Sequence, residues 1–176
     1  DLRLSRGLGD VYKRQIIAGS QATMNNFIWG NDKIQNYETI CGGTGAGPNF
    51  HGTSAVQTHM TNTRSTDPEI LEARFPVRLE EYSIRKNSGG KGMFNGGDGV
   101  TRKLRFLEPM TVTTLCSHRR VKPFGVDGGE PGQCGKEWLE KEDGGFIKLE
   151  GNDSCEVKVN DLFVMETPGG GGFGSK

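Results

Sequence analysis

A chain of 176 residues is one domain or a piece of one, and its 22 basic and 22 acidic residues cancel, which removes the electrostatic case for nucleic acid or an acidic membrane surface. Hydrophobic residues make up 32 %, low for a globular chain, and 28 glycines fill much of the deficit, so the core is expected to be thin. No apolar run reaches the roughly 18 residues that a membrane helix needs, and no signal peptide is visible. Cys41, Cys116, Cys134 and Cys155 form neither a CxxC pair nor a zinc spacing. They read as buried free thiols of a reducing compartment, hence a cytoplasmic protein.

Taken in chain order, Ser5 to Gln15 looks like a translated transposase-type sequencing adapter, with Asp1 to Leu4 as its index sequence. The alternative is an authentic basic arm. Residues 1–15 are set aside from fold expectations, so the protein proper is expected to begin near Ile16 within a truncated reading frame. Phe27-Ile28-Trp29-Gly30 reads as a short buried run, and Tyr37 to Cys41 as a strand entering Gly42-Gly43-Thr44-Gly45-Ala46-Gly47-Pro48. That glycine run matches neither GxGxxG nor a phosphate loop, and Pro48 and Gly52 forbid a long helix behind it. It reads instead as backbone passing close to a neighbour.

Ser54 to Met60 alternates like a strand. Next comes the best helix start in the chain: Thr66 as cap, Pro68 in the first turn and Glu69 closing a capping box. Pro76 ends that helix, expected near 67–74. Val77 to Arg85 reads as a strand whose apolar phase shifts between Leu79 and Tyr82, a bulge. Asn87 to Gly92 and Asn95 to Gly99 carry hairpin chemistry, and Asp98 suits a turn. Val100 to Phe106 alternates, with Val100, Leu104 and Phe106 on one side. Met110 to Ser117, Phe146 to Glu150, Ser154 to Val159 and Leu162 to Glu166 complete the strands, with Cys155, Val157 and Val159 sharing a face. The fold class is therefore mainly β (α+β): an antiparallel β-rich domain with glycine-rich turns and one short helix.

The densest chemistry lies between the Ser54–Met60 strand and the helix. His59 is a candidate general acid/base or metal ligand, or a structural histidine. Arg64 is suited to gripping a carboxylate with two hydrogen bonds, or else it pairs with Asp67 or Glu69 and braces the loop. His118-Arg119-Arg120 is either an anion or partner contact or a solvated strand end.

These blocks carry a resemblance. His59-Met60-Thr61-Asn62-Thr63-Arg64, followed by Thr66-Asp67-Pro68-Glu69-Ile70-Leu71-Glu72, resembles the hydantoinase B/5-oxoprolinase family and, within it, the 5-oxoprolinase branch. Four further blocks follow the family's order: Tyr37 to Gly47, Ser88 to Gly99, Pro123 to Gly132, and Pro168 to Gly174. The resemblance covers nearly all of residues 16–176 and implies the C-terminal portion of a hydantoinase B part. It implies an ATP-dependent hydrolysis of the cyclic amide of 5-oxo-L-proline to glutamate, within glutathione metabolism. ATP and a divalent metal ion would bind largely outside this fragment, and a hydantoinase A-type part, fused or separate, would be the partner in an oligomer. The family's metal-associated segment is absent and expected upstream of Ile16, so the fragment alone should be inactive. On this reading Arg64 holds the substrate carboxylate, Thr61, Asn62 and Thr63 support it as donors, and His59 is the catalytic candidate. Lys136-Glu137 and Asn152-Asp153-Ser154, where glycine or small turn residues would sit comfortably, depart from the family. A hydantoinase B subunit, an acetone-type carboxylase subunit and a non-catalytic β-module for assembly are the alternatives.

Overall fold

The computed structural model of the chain describes residues 16–22, 24–59 and 61–175; the adapter expectation for residues 1–15 lies outside them. Nine strands and one helix make up the regular structure of the described residues: β1 (Asn25–Gly30), β2 (Gln35–Ile40), α1 (Pro68–Arg74), β3 (Val77–Arg85), β4 (Gly99–Phe106), β5 (Met110–Cys116), β6 (Lys136–Glu140), β7 (Phe146–Leu149), β8 (Asn152–Val157) and β9 (Leu162–Glu166). They form a four-stranded sheet, β2-β1-β5-β8, and a five-stranded sheet, β3-β4-β9-β6-β7. The sheets are antiparallel, as the composition and turn pattern predict.

The two sheets share one core. Phe27 of β1 stacks on Phe163 of β9 at 4.7 Å, and Trp29 meets Phe106 of β4 edge-on at 5.9 Å. Apolar residues from both sheets fill the space between them, Val112 and Leu104 among them. Burying such side chains contributes roughly 1.5–3 kcal/mol each. Alternation in β4 places Val100, Leu104 and Phe106 inward as expected, and it places Arg102 there too.

Several expectations are corrected. Asp67, not Thr66, caps α1: its carboxylate accepts from the Glu69 amide at 3.0 Å. A Thr66 cap would put Asp67 in helical geometry directly before Pro68, which the proline ring disfavours; Asp67 instead holds φ −57° and ψ 134°. Ser54–Met60 is not a strand over its described residues. Ala55 and His59 both take positive φ, which breaks the extension, and Val56 makes only an isolated bridge with Gly42. Lys136 and Glu137, read as standing where a glycine segment would be comfortable, open β6 instead. Asn152 and Asp153 open β8 rather than a turn, and Val159 lies beyond that strand and exposed. Arg119 is no solvated strand end: it lies buried against Glu137, its Nε donating at 2.7 Å.

The glycine-rich segments form a layer of their own beside the sandwich. Gly97 N donates to Thr44 O at 2.9 Å, Gly170 N to Gly97 O at 2.8 Å, and Ala46 N to Gly171 O at 2.9 Å. A Cβ on Gly170 would sit 1.8 Å from the Thr44 oxygen, and one on Gly43 would sit 1.9 Å from the Gly97 oxygen. Close backbone approach, not phosphate binding, is why this stretch is glycine, as its spacing predicts.

Candidate functional site

β2 and β3 each lie at one edge of their sheets, and a cavity of about 530 Å³ opens between the end of β2 and the second half of β3. Its wall includes Cys41, Gln57, Asn62, Arg64, Ser65 and Tyr82. The β3 bulge decides which residues face it. The register against β4 shifts between Leu79 and Glu81, so Tyr82 pairs directly with Arg102 and Ile84 with Val100. An odd residue in a strand reverses its faces. Leu79 and Tyr82 therefore both point to the inner side, and Tyr82 enters the cavity.

Residues 61–66 bring the polar run to this wall. No backbone–backbone hydrogen bond ties them to another described segment. Hydroxyls hold them instead. Thr63 Oγ1 lies 2.7 Å and Thr61 Oγ1 3.2 Å from Thr39 Oγ1, and Ser65 Oγ lies 3.0 Å from the Tyr82 hydroxyl. Arg64 sits between these tethers. Its side chain makes no ion pair or hydrogen bond with any described residue. The bracing alternative is not what the structure has: the Asp67 carboxylate is engaged with the helix amide.

The predicted residues separate here. Asn62, Thr63 and Arg64 line the cavity. Thr61 anchors the loop from outside the wall. His59, exposed and at φ 55°, also stands off the wall; its Nε2 lies 2.8 Å from Ser20 Oγ.

Sequence reasoning missed Cys41, Ser65 and Tyr82 and the charge pair behind them. Arg102 Nη2 reaches Glu38 Oε2 at 2.7 Å, linking the two sheets, and both side chains are buried. The guanidinium also lies 5.1 Å from the centre of the Tyr82 ring. Its signal was legible: Arg102 falls in phase with Val100, Leu104 and Phe106, and a charge at a core position implies a buried partner.

Burial, together with the adjacent Cys41, pushes the Tyr82 hydroxyl up to about 12, and burial raises the Cys41 thiol as well. Both stay protonated near neutrality. They offer neutral hydrogen bonds at 3.2 Å from each other rather than a thiolate nucleophile.

No group of three or more His, Cys, Asp or Glu side chains among the described residues is arranged to hold a metal ion. The glycine run offers no phosphate cradle, since amides such as Gly43 N, donating to Pro168 O at 3.0 Å, are spent within the layer. These residues do not fit either group.

Comparisons with known proteins agree with the sandwich. The solved ATP-dependent caprolactamase from Pseudomonas jessenii superposes with a TM-score of 0.79 at 24 % identity, over 91 % of this chain and 30 % of that one, a likeness of fold. The 5-oxoprolinase of Dictyostelium discoideum is 49 % identical over 159 residues, 90 % of this chain and 13 % of its own. The 5-oxoprolinase 1 of Arabidopsis thaliana is 48 % identical over 161 residues, 92 % of this chain and 13 % of its own. The chain thus spans a small part of these relatives. The hydantoinase B/oxoprolinase family model matches residues 4–176, and with nearly the whole chain inside that match, the protein belongs to the hydantoinase B/oxoprolinase family.

Proposed function

We propose that the chain is part of an ATP-dependent hydrolase that opens the lactam of 5-oxo-L-proline to L-glutamate, and that the cavity beneath Arg64 receives the substrate carboxylate. The observation that carries this is a guanidinium with no described partner, held on a tethered loop at the rim of a 530 Å³ cavity. A bidentate arginine suits a carboxylate, and a wall of few polar groups on an apolar floor suits a small ring. The 49 % and 48 % identities to proteins named 5-oxoprolinase favour this substrate over hydantoins and ketones.

A five-membered lactam is a stable amide. ATP, when bound, supplies the phosphoryl group that turns the carbonyl oxygen into a leaving group. In this reading both groups are held outside the described residues, ATP by a hydantoinase A-type part of the same assembly and a divalent metal ion by a segment upstream of Ile16. Asn62 and Thr63 donate hydrogen bonds along the wall, with Thr61 behind them. His59, off this wall and hydrogen-bonded to Ser20, is the acid–base candidate of the reading. The setting is cytoplasmic, in keeping with four free thiols. Among the described residues no helix is long and apolar enough to cross a membrane.

The test is a substrate panel on the full-length assembly. ADP and glutamate should appear together with 5-oxo-L-proline and not with hydantoin or acetone. Turnover of hydantoin or acetone in its place would move the chain to another branch of the family.

A further inference from the structure

The loop that carries Arg64 is held from both sides, and both holds lead to one buried pair. Thr39, which receives Thr61 and Thr63, follows Glu38 on β2. Tyr82, which receives Ser65, faces Arg102 across the β3–β4 ladder and lies against its guanidinium. Glu38 and Arg102 are bonded to each other across the two sheets at 2.7 Å. The distance between the sheets at this point therefore sets the separation of the two tethers, and Arg64 lies between them.

We propose that Tyr82 is the positioning residue of this site: anchored by the Glu38–Arg102 pair, its hydroxyl fixes Ser65 and so presents Arg64 to the ligand carboxylate. The proposal rests on the reading of Arg64 as carboxylate receptor. Three observations support it. Residues 61–66 have no backbone hydrogen bond to another described segment, so the hydroxyl tethers set the loop's position. Ser65 is the immediate neighbour of Arg64, so a shift at Ser65 moves the Arg64 backbone directly. The bulge between Leu79 and Glu81 turns Tyr82 inward, an aim that an unbroken strand would not give it. Tyr82 takes no part in bond making. It fixes where the guanidinium waits, which removes an ordering cost that binding would otherwise meet.

The experiment uses the full-length enzyme assembly, with steady-state kinetics in 5-oxo-L-proline and in ATP. Tyr82→Phe keeps the ring against Arg102 and deletes only the hydroxyl. It should raise KM for 5-oxo-L-proline roughly fivefold, the worth of one neutral hydrogen bond, while kcat, KM for ATP and Tm stay near wild type. Ser65→Ala, which cuts the same link from the other side, should match it, Ser65→Thr should restore KM, and the double variant should be no worse than either single. A loss confined to kcat, or an additive double variant, would overturn the positioning role. An unchanged KM in Ser65→Ala would do so even if Tyr82→Phe failed to fold. Arg64→Ala separates the two levels. If it raises KM while Tyr82→Phe and Ser65→Ala do not, the positioning role alone fails; if Arg64→Ala itself leaves KM unchanged, the carboxylate reading fails and takes this proposal with it.

Discussion

The glycine layer and the loop at residues 61–66 are both irregular, and they are held in opposite ways. In the layer, main chains bond directly to main chains, as Gly97 does to Thr44 and Gly170 to Gly97. In the loop, side-chain hydroxyls from Thr61, Thr63 and Ser65 do all the holding that the described residues provide. A region locked through its backbone tolerates almost no side chain but needs no particular one. A region locked through hydroxyls can be retuned one atom at a time, which suits a ligand-binding wall.

The contrast breaks most visibly in the layer. Gly170→Ala forces a methyl to within 1.8 Å of the Thr44 carbonyl oxygen, with backbone rather than a flexible chain in the way. We expect a loss of at least about 5 kcal/mol, read as failure to purify folded protein or as a collapse in the denaturation midpoint. A near-native midpoint would mean that the layer yields easily.

Beneath the loop, Glu38→Gln should cost about 3 kcal/mol by leaving the buried Arg102 charge without its counterion. Replacing both members together, Glu38→Leu with Arg102→Met, should recover most of that loss in chemical denaturation, since a buried ion pair is often no better than apolar residues of similar size. Arg102 Nε and Nη1 and Glu38 Oε1 have no partner among the described residues, which strengthens that expectation. The double replacement should still leave the site impaired, because Tyr82 then loses the guanidinium behind it.

Tyr82 gives a pH signature. With its hydroxyl pushed up to about 12 against an ordinary value near 10, the folded state holds a proton that the unfolded state releases. The stabilisation is therefore complete below pH 10 and is lost as pH rises through 12. Absorbance at 295 nm should show a late tyrosinate step that Tyr82→Phe abolishes; a midpoint at 10 would contradict the partly buried setting. Smallest of all, Thr63→Val should cost about 1 kcal/mol at most in thermal unfolding, the worth of one hydroxyl hydrogen bond.

The same contrast explains what the sequence made legible. Alternation in β4 and the phase shift in β3 were readable because half-buried strands impose a period of two, and the structure has both strands and the bulge. β6 was not, since Glu137 looks like a surface residue until Arg119 arrives from eighteen positions away to neutralise it. The apparent strand at Ser54–Met60 failed for a local reason: left-handed Ala55 and His59 carry no glycine signature. At the candidate site, the polar run led to Asn62, Thr63 and Arg64 on the cavity wall. Cys41, Ser65 and Tyr82 were out of reach, because their meeting depends on two edge strands from different sheets approaching one another.

Arg64 as the carboxylate receptor is tested by calorimetric binding of 5-oxo-L-proline and of 2-pyrrolidinone, the same lactam without the acid, to the full-length assembly and its Arg64→Ala variant. The variant should lose roughly tenfold or more in affinity for 5-oxo-L-proline, the worth of a charged hydrogen-bonded contact, and nothing for 2-pyrrolidinone. Equal losses for both ligands, or no loss for either, would contradict it.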